Sequence, residues 1–430
     1  MLYLPIFHQA KKECKAEIHN LLCCSYPGVF MESVYTTYLS LIRQTCCSSA
    51  DTSVGIAIRP EEAHAIAELS QEHRTAPFLL PSFRGMDCYA SLKQQTKSMM
   101  LNYYQIEHFT RTTVSLLEKE HISCYLLKGL SLADCYPVPE YRKLGDLDLY
   151  INGKEEFDAA KRILEAHGYI EEDELSDHHV TYQYRFFKTG RTFLLELHYR
   201  VIGLYQYSRA NEIVDEVFSS DRLGRCEQTI HGYPYTVLPP TEYVFYQIHH
   251  MLKHYLYSGF GIRLLCDFTL YLKRHADEVD FDRIHTWCRE SRIFHLYEII
   301  LESCRIYLGL PGTIDPDIHY SPADCEQFVQ QVLKDGDMGS DTASSLVGSS
   351  SYQKVNLASC LKEGHIQMKV RFPKACRYPI LWPVLWGVTF FCFLKNTYTI
   401  RNTTFLQTLR DFKKSNQKTH LIKIFENSEQ

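Results

Sequence analysis

Two aspartates stand one residue apart in G-D-L-D-L-Y-I, at Asp146 and Asp148, in a run that alternates acid with apolar side chains. On a strand this spacing sends both carboxylates out of one face and turns Leu147 and Leu149 into a core. Neighbouring carboxylates repel, and a hard divalent cation such as magnesium, which takes oxygen ligands, relieves that repulsion. A solvated strand face is the alternative and needs no ligand. Against it, the pair comes just after Arg142 and Lys143 and lies inside an otherwise apolar strand. A third acid, Glu196, sits in F-L-L-E-L-H, where Leu194, Glu196 and His198 share one strand face. Buried there without a partner it would cost roughly several kcal/mol, so it calls for a metal or an arginine unless the strand is an exposed edge.

These acids need a scaffold, and the neighbouring residues predict one. Tyr125-Leu126-Leu127 reads as a buried strand, Lys128-Gly129 as a tight turn, and Leu130, Leu132 and Ala133 as a short helix stopped by Pro137 and Pro139. Residues 155–167 predict an amphipathic helix closed by Gly168, and 180–187 and 192–200 predict two strands joined by a Lys188-Thr189-Gly190-Arg191 turn. Further helices are predicted at 10–48, 60–74 and 89–120 before this segment. After Pro239 the chain returns to helix. There His250 and His254 lie one turn apart, and Arg263 and Asp267 are four apart and able to pair. The histidine pair lacks the glutamate and third ligand of a zinc helix, and no fixed spacing joins His178-His179 to His198, so zinc is not expected at either place.

The Lys128-Gly129 turn, the Arg142-x-x-Gly145-Asp146-Leu147-Asp148-Leu149 run and Glu196-Leu197-His198 resemble the uncharacterised nucleotidyltransferase family of the DNA polymerase β-like superfamily. The resemblance implies an α+β fold, a polymerase β-like core of small mixed sheet and helices embedded in a mainly helical chain. It places Glu196 as the third carboxylate, where many members of the superfamily have aspartate. By the same token Asp146, Asp148 and Glu196 would be the catalytic and metal residues, holding two magnesium ions. Lys128, Gly129 and Ser131 would cradle phosphates, and Arg142 or Lys143 would offset charge on the leaving group. Lys253 and Arg263 become nucleotide-side candidates, with His198 and Asp267 as supporting residues. The implied reaction moves an NMP from an NTP to a hydroxyl, most readily of a small molecule or protein, and releases pyrophosphate. A non-catalytic nucleotide-binding or membrane-associated accessory protein of the same fold is the alternative.

Composition agrees with a globular chain: 430 residues, 45% hydrophobic and 23% charged, with a formal net charge of -5 that argues against indiscriminate nucleic-acid binding. Sixteen scattered cysteines without C-x-x-C spacing, and a Met1–Phe7 start too short for a signal sequence, point to reduced thiols and a cytoplasmic protein. The expected divisions are a helical region over 1–120, the transferase core over 121–205, a second helical region over 206–334, a Gly/Ser-rich linker over 335–352, and an apolar segment with a basic tail over 353–430. Residues 380–394 form the most apolar run and are flanked by Lys369, Arg371, Lys374 and Arg377 before and by Lys395 and Arg401 after. Too short and too interrupted to span a bilayer, the run is expected to dock on the core, with peripheral membrane contact as the alternative.

Overall fold

The computed structural model describes residues 33–47, 56–172, 176–186, 190–205, 207–255, 260–336, 364–365, 368–369 and 371–399. The helix expected before Ser33, most of the 335–352 linker, the hairpin turn at 187–189 and the tail beyond 399 lie outside these residues. The helices that bear on the site are α1 (Ser33–Ile42), α2 (Tyr89–Lys119), α3 (Leu130–Ala133), α4 (Lys154–Ala166), α5 (Pro240–Lys253), α6 (Ile262–His275) and α7 (Trp382–Thr399). One sheet comprises β1 (Tyr125–Leu126), β2 (Leu147–Tyr150), β3 (Ile170–Glu171), β4 (His179–Arg185) and β5 (Thr192–His198), in the spatial order β1-β2-β5-β4-β3. β2 and β5 are parallel and the other neighbours antiparallel, which gives the small mixed sheet in a mainly helical chain that the family resemblance implies.

Alternation along the strands divides the molecule into two cores. Leu126, Leu147, Leu149, Tyr182, Leu195 and Leu197 point to one side, where they pack with Phe109 of α2 and with Phe157, Ala160 and Leu164 of α4. Fully burying each leucine contributes roughly 1.5–3 kcal/mol, so a one-residue register slip, which would turn all of them outward, is strongly disfavoured. Helix α4 fits its place: Gly153 at φ 151° allows the sharp entry, Glu155 and Glu156 in the first turn complement the helix dipole, and Gly168 at φ 85° follows its end. A second core is helical and contains Tyr243, Phe245, Ile248 and Leu252 of α5 with Leu265, Phe268 and Leu272 of α6. Helix α5 thereby lies over the polar face of the sheet.

Two pieces of strand were not expected from the sequence: β3, and a hairpin further on. Within the region expected to be helical, β6 (Cys226–Ile230) and β7 (Tyr233–Val237) form an antiparallel hairpin. His231 at φ 47° and Gly232 at φ 75° supply the two left-handed residues of a tight turn, a signal carried by the His-Gly dipeptide. Ile230 and Tyr235 join the sheet's apolar core.

The apolar run at 380–394 also departs from expectation. It enters α7 at Trp382, yet Ile380 just before the helix is 87% exposed, and Val384 and Phe391 within it are 67% and 69% exposed, so this face is not buried on the described part of the core. Low sequence complexity of polarity explains the error: a helix apolar all round carries no stripe that says which face docks. Among the described residues no helix is long and apolar enough to cross a membrane.

Candidate active site

Parallel pairing of β2 with β5 sets Asp148 directly beside Glu196, and antiparallel pairing of β5 with β4 sets His179 beside His198 and Thr181 beside Glu196. The alternation that sends the leucines to the apolar core sends these side chains to the opposite face. Asp148 is 1% exposed. Its Oδ1 accepts from Lys128 Nζ at 3.0 Å and stands 3.4 Å from His198 Nε2, which is equally 3.4 Å from Glu196 Oε2. Asp148 Oδ2 and His198 Nδ1 are buried and meet no hydrogen-bond partner among the described residues. Asp146 lies just before β2, exposed at the rim rather than on the strand beside Asp148.

Lys128 is delivered by the turn after β1, where Gly129 takes φ 76°, a conformation that disfavours any side chain. Burial works against its charge, but Asp148 and then Glu196 outweigh it and raise the ammonium's pKa. His198 follows the same logic: burial opposes protonation, while hydrogen bonds to Asp148 and Glu196 raise its pKa. Glu196 is lowered, because His198 and Lys128 overcome the burial that would raise it. Asp146 moves the other way, raised to about 6 by desolvation and then by repulsion from Asp148 and Glu196.

Around this centre stands a ring of histidines that spacing along the chain did not reveal. The rings of His178, His179 and His198 lie 4.4 to 5.5 Å apart, and their ligand nitrogens come within 4.8 Å of one another. Strand register, not chain spacing, brings them together. From α5, Lys253 Nζ is 2.9 Å from His178 Nε2, His250 Nε2 is 3.4 Å from Lys128 Nζ, and His250 and His254 are 3.1 Å apart. Burial pushes His178 down to about 3, His179 to about 4 and the core residue His249, which faces Tyr205, to about 3. These three are neutral in the folded protein and charge on unfolding, so their contribution is present above the unfolded value near 6.5 and lost as pH falls below it. His198, with its raised pKa, acts in the opposite sense and contributes most below that value. The expected result is a melting temperature that peaks near neutral pH and falls steeply from pH 6 to 4, with a slope of at most roughly 4 kcal/mol per pH unit for three protons. Thermal scans across that range check it, and a flat profile would contradict the burial of these rings.

Arg142 takes a different place from the one expected of it. Its guanidinium makes a bidentate pair with Asp267 of α6, Nε to Oδ1 at 2.7 Å and Nη2 to Oδ2 at 2.8 Å, and Nη1 donates to Gly129 O at 3.3 Å. Tyr136 adds a hydroxyl bond to Asp267 Oδ1 at 2.6 Å, and Arg263 lies 3.6 Å from Oδ2. Arg142 is 4% exposed, so the group expected to face a phosphate instead ties the glycine turn to α6. Ser131 is buried too, with its hydroxyl 3.3 Å from that of Tyr243. For Lys143, burial and the cations Arg263, Arg74 and Arg191 lower the pKa. Arg74 and Arg191 come from distant parts of the chain and had no local signal.

The sequence profile of the uncharacterised nucleotidyltransferase family matches residues 59–309, more than half of the chain. The chain belongs to that family. A search of curated proteins finds no match. Among solved structures, an antigenic nucleotidyltransferase-like protein from Paracoccidioides brasiliensis is similar at 13% identity over 48% of this chain and 96% of that one, with a weak TM-score of 0.32.

For a nucleotidyltransferase the donor set can be tested against the metal such folds employ. Asp148, Glu196 and His198 offer ligand atoms within 4.8 Å of one another, and Asp148 Oδ2 is an orphaned buried oxygen of the kind a cation satisfies. The two carboxylates suit a hard divalent ion such as magnesium or manganese. The residues therefore fit a divalent ion.

Proposed function

We propose that this nucleotidyltransferase moves an NMP from an NTP to a hydroxyl of an acceptor, with Asp146, Asp148 and Glu196 holding two divalent ions. The observation that carries the reading is the side-by-side register of Asp148 and Glu196, with Asp148 Oδ2 buried and unpartnered. When bound, the metal supplies Lewis acidity at the α-phosphate and neutralises charge on the departing pyrophosphate. Lys128 orients Asp148 through its 3.0 Å contact and holds positive charge beside the reacting phosphate. Lys143, with Arg263, Arg74 and Arg191 around it, attracts the β and γ phosphates. His198 keeps the two carboxylates together through Nε2. The acceptor oxygen bonds to phosphorus, the bond from phosphorus to the β-bridging oxygen breaks, and Asp146, on the exposed rim, takes the hydroxyl proton.

Purified protein incubated with magnesium or manganese and each α-labelled NTP, alone and with protein, RNA and small-molecule fractions, tests the reading. Label should appear in one fraction and vanish with Asp146→Asn. No label in any fraction, together with metal-independent nucleotide binding, would instead support an accessory role. The Lys128 contact favours that second reading, because an ammonium can neutralise Asp148 without any metal.

Asp146 also sets a pH dependence. Its carboxyl must ionise to bind a cation, so manganese affinity should be level above about 6 and fall by roughly tenfold per pH unit below it. Calorimetric titration at pH 7.5 and 5 checks this, and equal affinities at both would remove Asp146 from the metal site.

A further inference from the structure

Far from the carboxylates in sequence, three cysteines converge. Cys46 and Cys47 occupy a π-helical turn, Arg43–Cys47, that continues α1, and Cys266 lies on α6. All three are buried, at 1%, 3% and 2% exposure, and their sulfurs lie within 4.8 Å of one another. Buried cysteine is common as a small apolar filler. Here, however, the three sulfurs converge on one point instead of pointing into separate parts of the core. A zinc–thiolate bond of about 2.3 Å puts sulfurs about 3.8 Å apart at tetrahedral angles, so only a small contraction separates this cluster from a ligand set.

We propose that Cys46, Cys47 and Cys266 form a thiolate site for one soft cation of the Zn2+ or Cu+ class. Thiolate sulfur selects such ions over magnesium, which prefers the oxygen donors of the carboxylate centre. Positive charge to offset three thiolates is at hand: Lys273 Nζ donates to Cys47 O at 2.5 Å, and Arg43 is the other cation that acts on Cys47. Cys46 and Cys266 also border the crevice that holds Arg74, Lys143 and Arg263, which puts the cluster against one wall of the candidate active site. The ion would clamp the end of α1 to α6 one residue before Asp267, which grips Arg142. Its role is therefore to fix the wall of the site, without contact with the reacting atoms.

The full chain, expressed in zinc- or copper-supplemented medium and purified under reducing conditions without chelator, should carry about one equivalent of one of these metals by mass spectrometry of the elements. Which arm loads identifies the ion. Cobalt added to chelator-stripped protein should give a thiolate-to-metal absorption band. Cys266→Ala and Cys47→Ala should lose the metal and the band, whereas Cys304→Ala, a buried thiol outside the cluster, and Asp148→Asn should retain both. Wild-type protein that takes up neither zinc nor copper, and gives no band with cobalt, overturns the proposal even if the variants fold poorly. So does full metal content in Cys266→Ala, or a non-reduced mass two hydrogens lower, which would assign a disulfide.

Discussion

Asp148→Asn should lower the rate of nucleotidyl transfer by roughly a thousandfold or more while leaving the backbone fold in place. The substitution preserves shape and removes one charge from the most enclosed position of the site, 1% exposed. Three interactions change together. The orphaned Oδ2 loses its anionic affinity for a cation, Lys128 Nζ loses the carboxylate at 3.0 Å, and His198 loses one of its two acceptors. Steady-state transfer with manganese in excess measures the effect, with circular dichroism as the check on folding. A KM change alone, with kcat near that of the parent, would remove Asp148 from the reacting centre. Glu196→Gln should lower the rate in the same direction, since Glu196 shares His198 Nε2 with Asp148.

Arg142→Met should cost about 3–5 kcal/mol of stability, the range for removing one partner of a buried ion pair. Asp267 is 2% exposed and, among the described residues, would keep Tyr136 and a more distant Arg263 for compensation. For a chain of this size that corresponds to a fall in melting temperature of roughly 5 °C. The double variant Arg142→Met with Asp267→Leu should recover most of the loss, because apolar residues of similar volume replace a buried pair at little cost. Calorimetry on the two single variants and the double completes the cycle. Additive losses would mean that the two residues do not act as a pair. If the pair holds the glycine turn, the single variant should also weaken nucleotide binding through Gly129, whose carbonyl Arg142 contacts.

Local elements were legible because local rules set them. The helix expected at 155–167 is found at Lys154–Ala166, and the strands expected at 180–187 and 192–200 are found at His179–Arg185 and Thr192–His198. Period-2 alternation told which residues of β2 and β5 share a face. The His-Gly hairpin was overlooked amid helical neighbours, and α7 was assigned a burial that its uniform polarity could not specify. Arg142 shows a different limit: an arginine next to an acidic strand can face a phosphate or a buried carboxylate, and only the position of Asp267, 125 residues further on, decides.

The sequence by itself determined the family, the glycine turn and the apolar strand that carries Asp148, since each is written in contiguous residues or in a motif of fixed spacing. Tertiary structure alone decided what those groups meet. Strand register put Asp148 beside Glu196 and gathered His178, His179 and His198, and helix packing brought Cys46 and Cys47 to Cys266 and Asp267 to Arg142. The physical reason is that pairing between strands and docking between helices are set by burial summed over whole faces, a quantity no short stretch of chain contains.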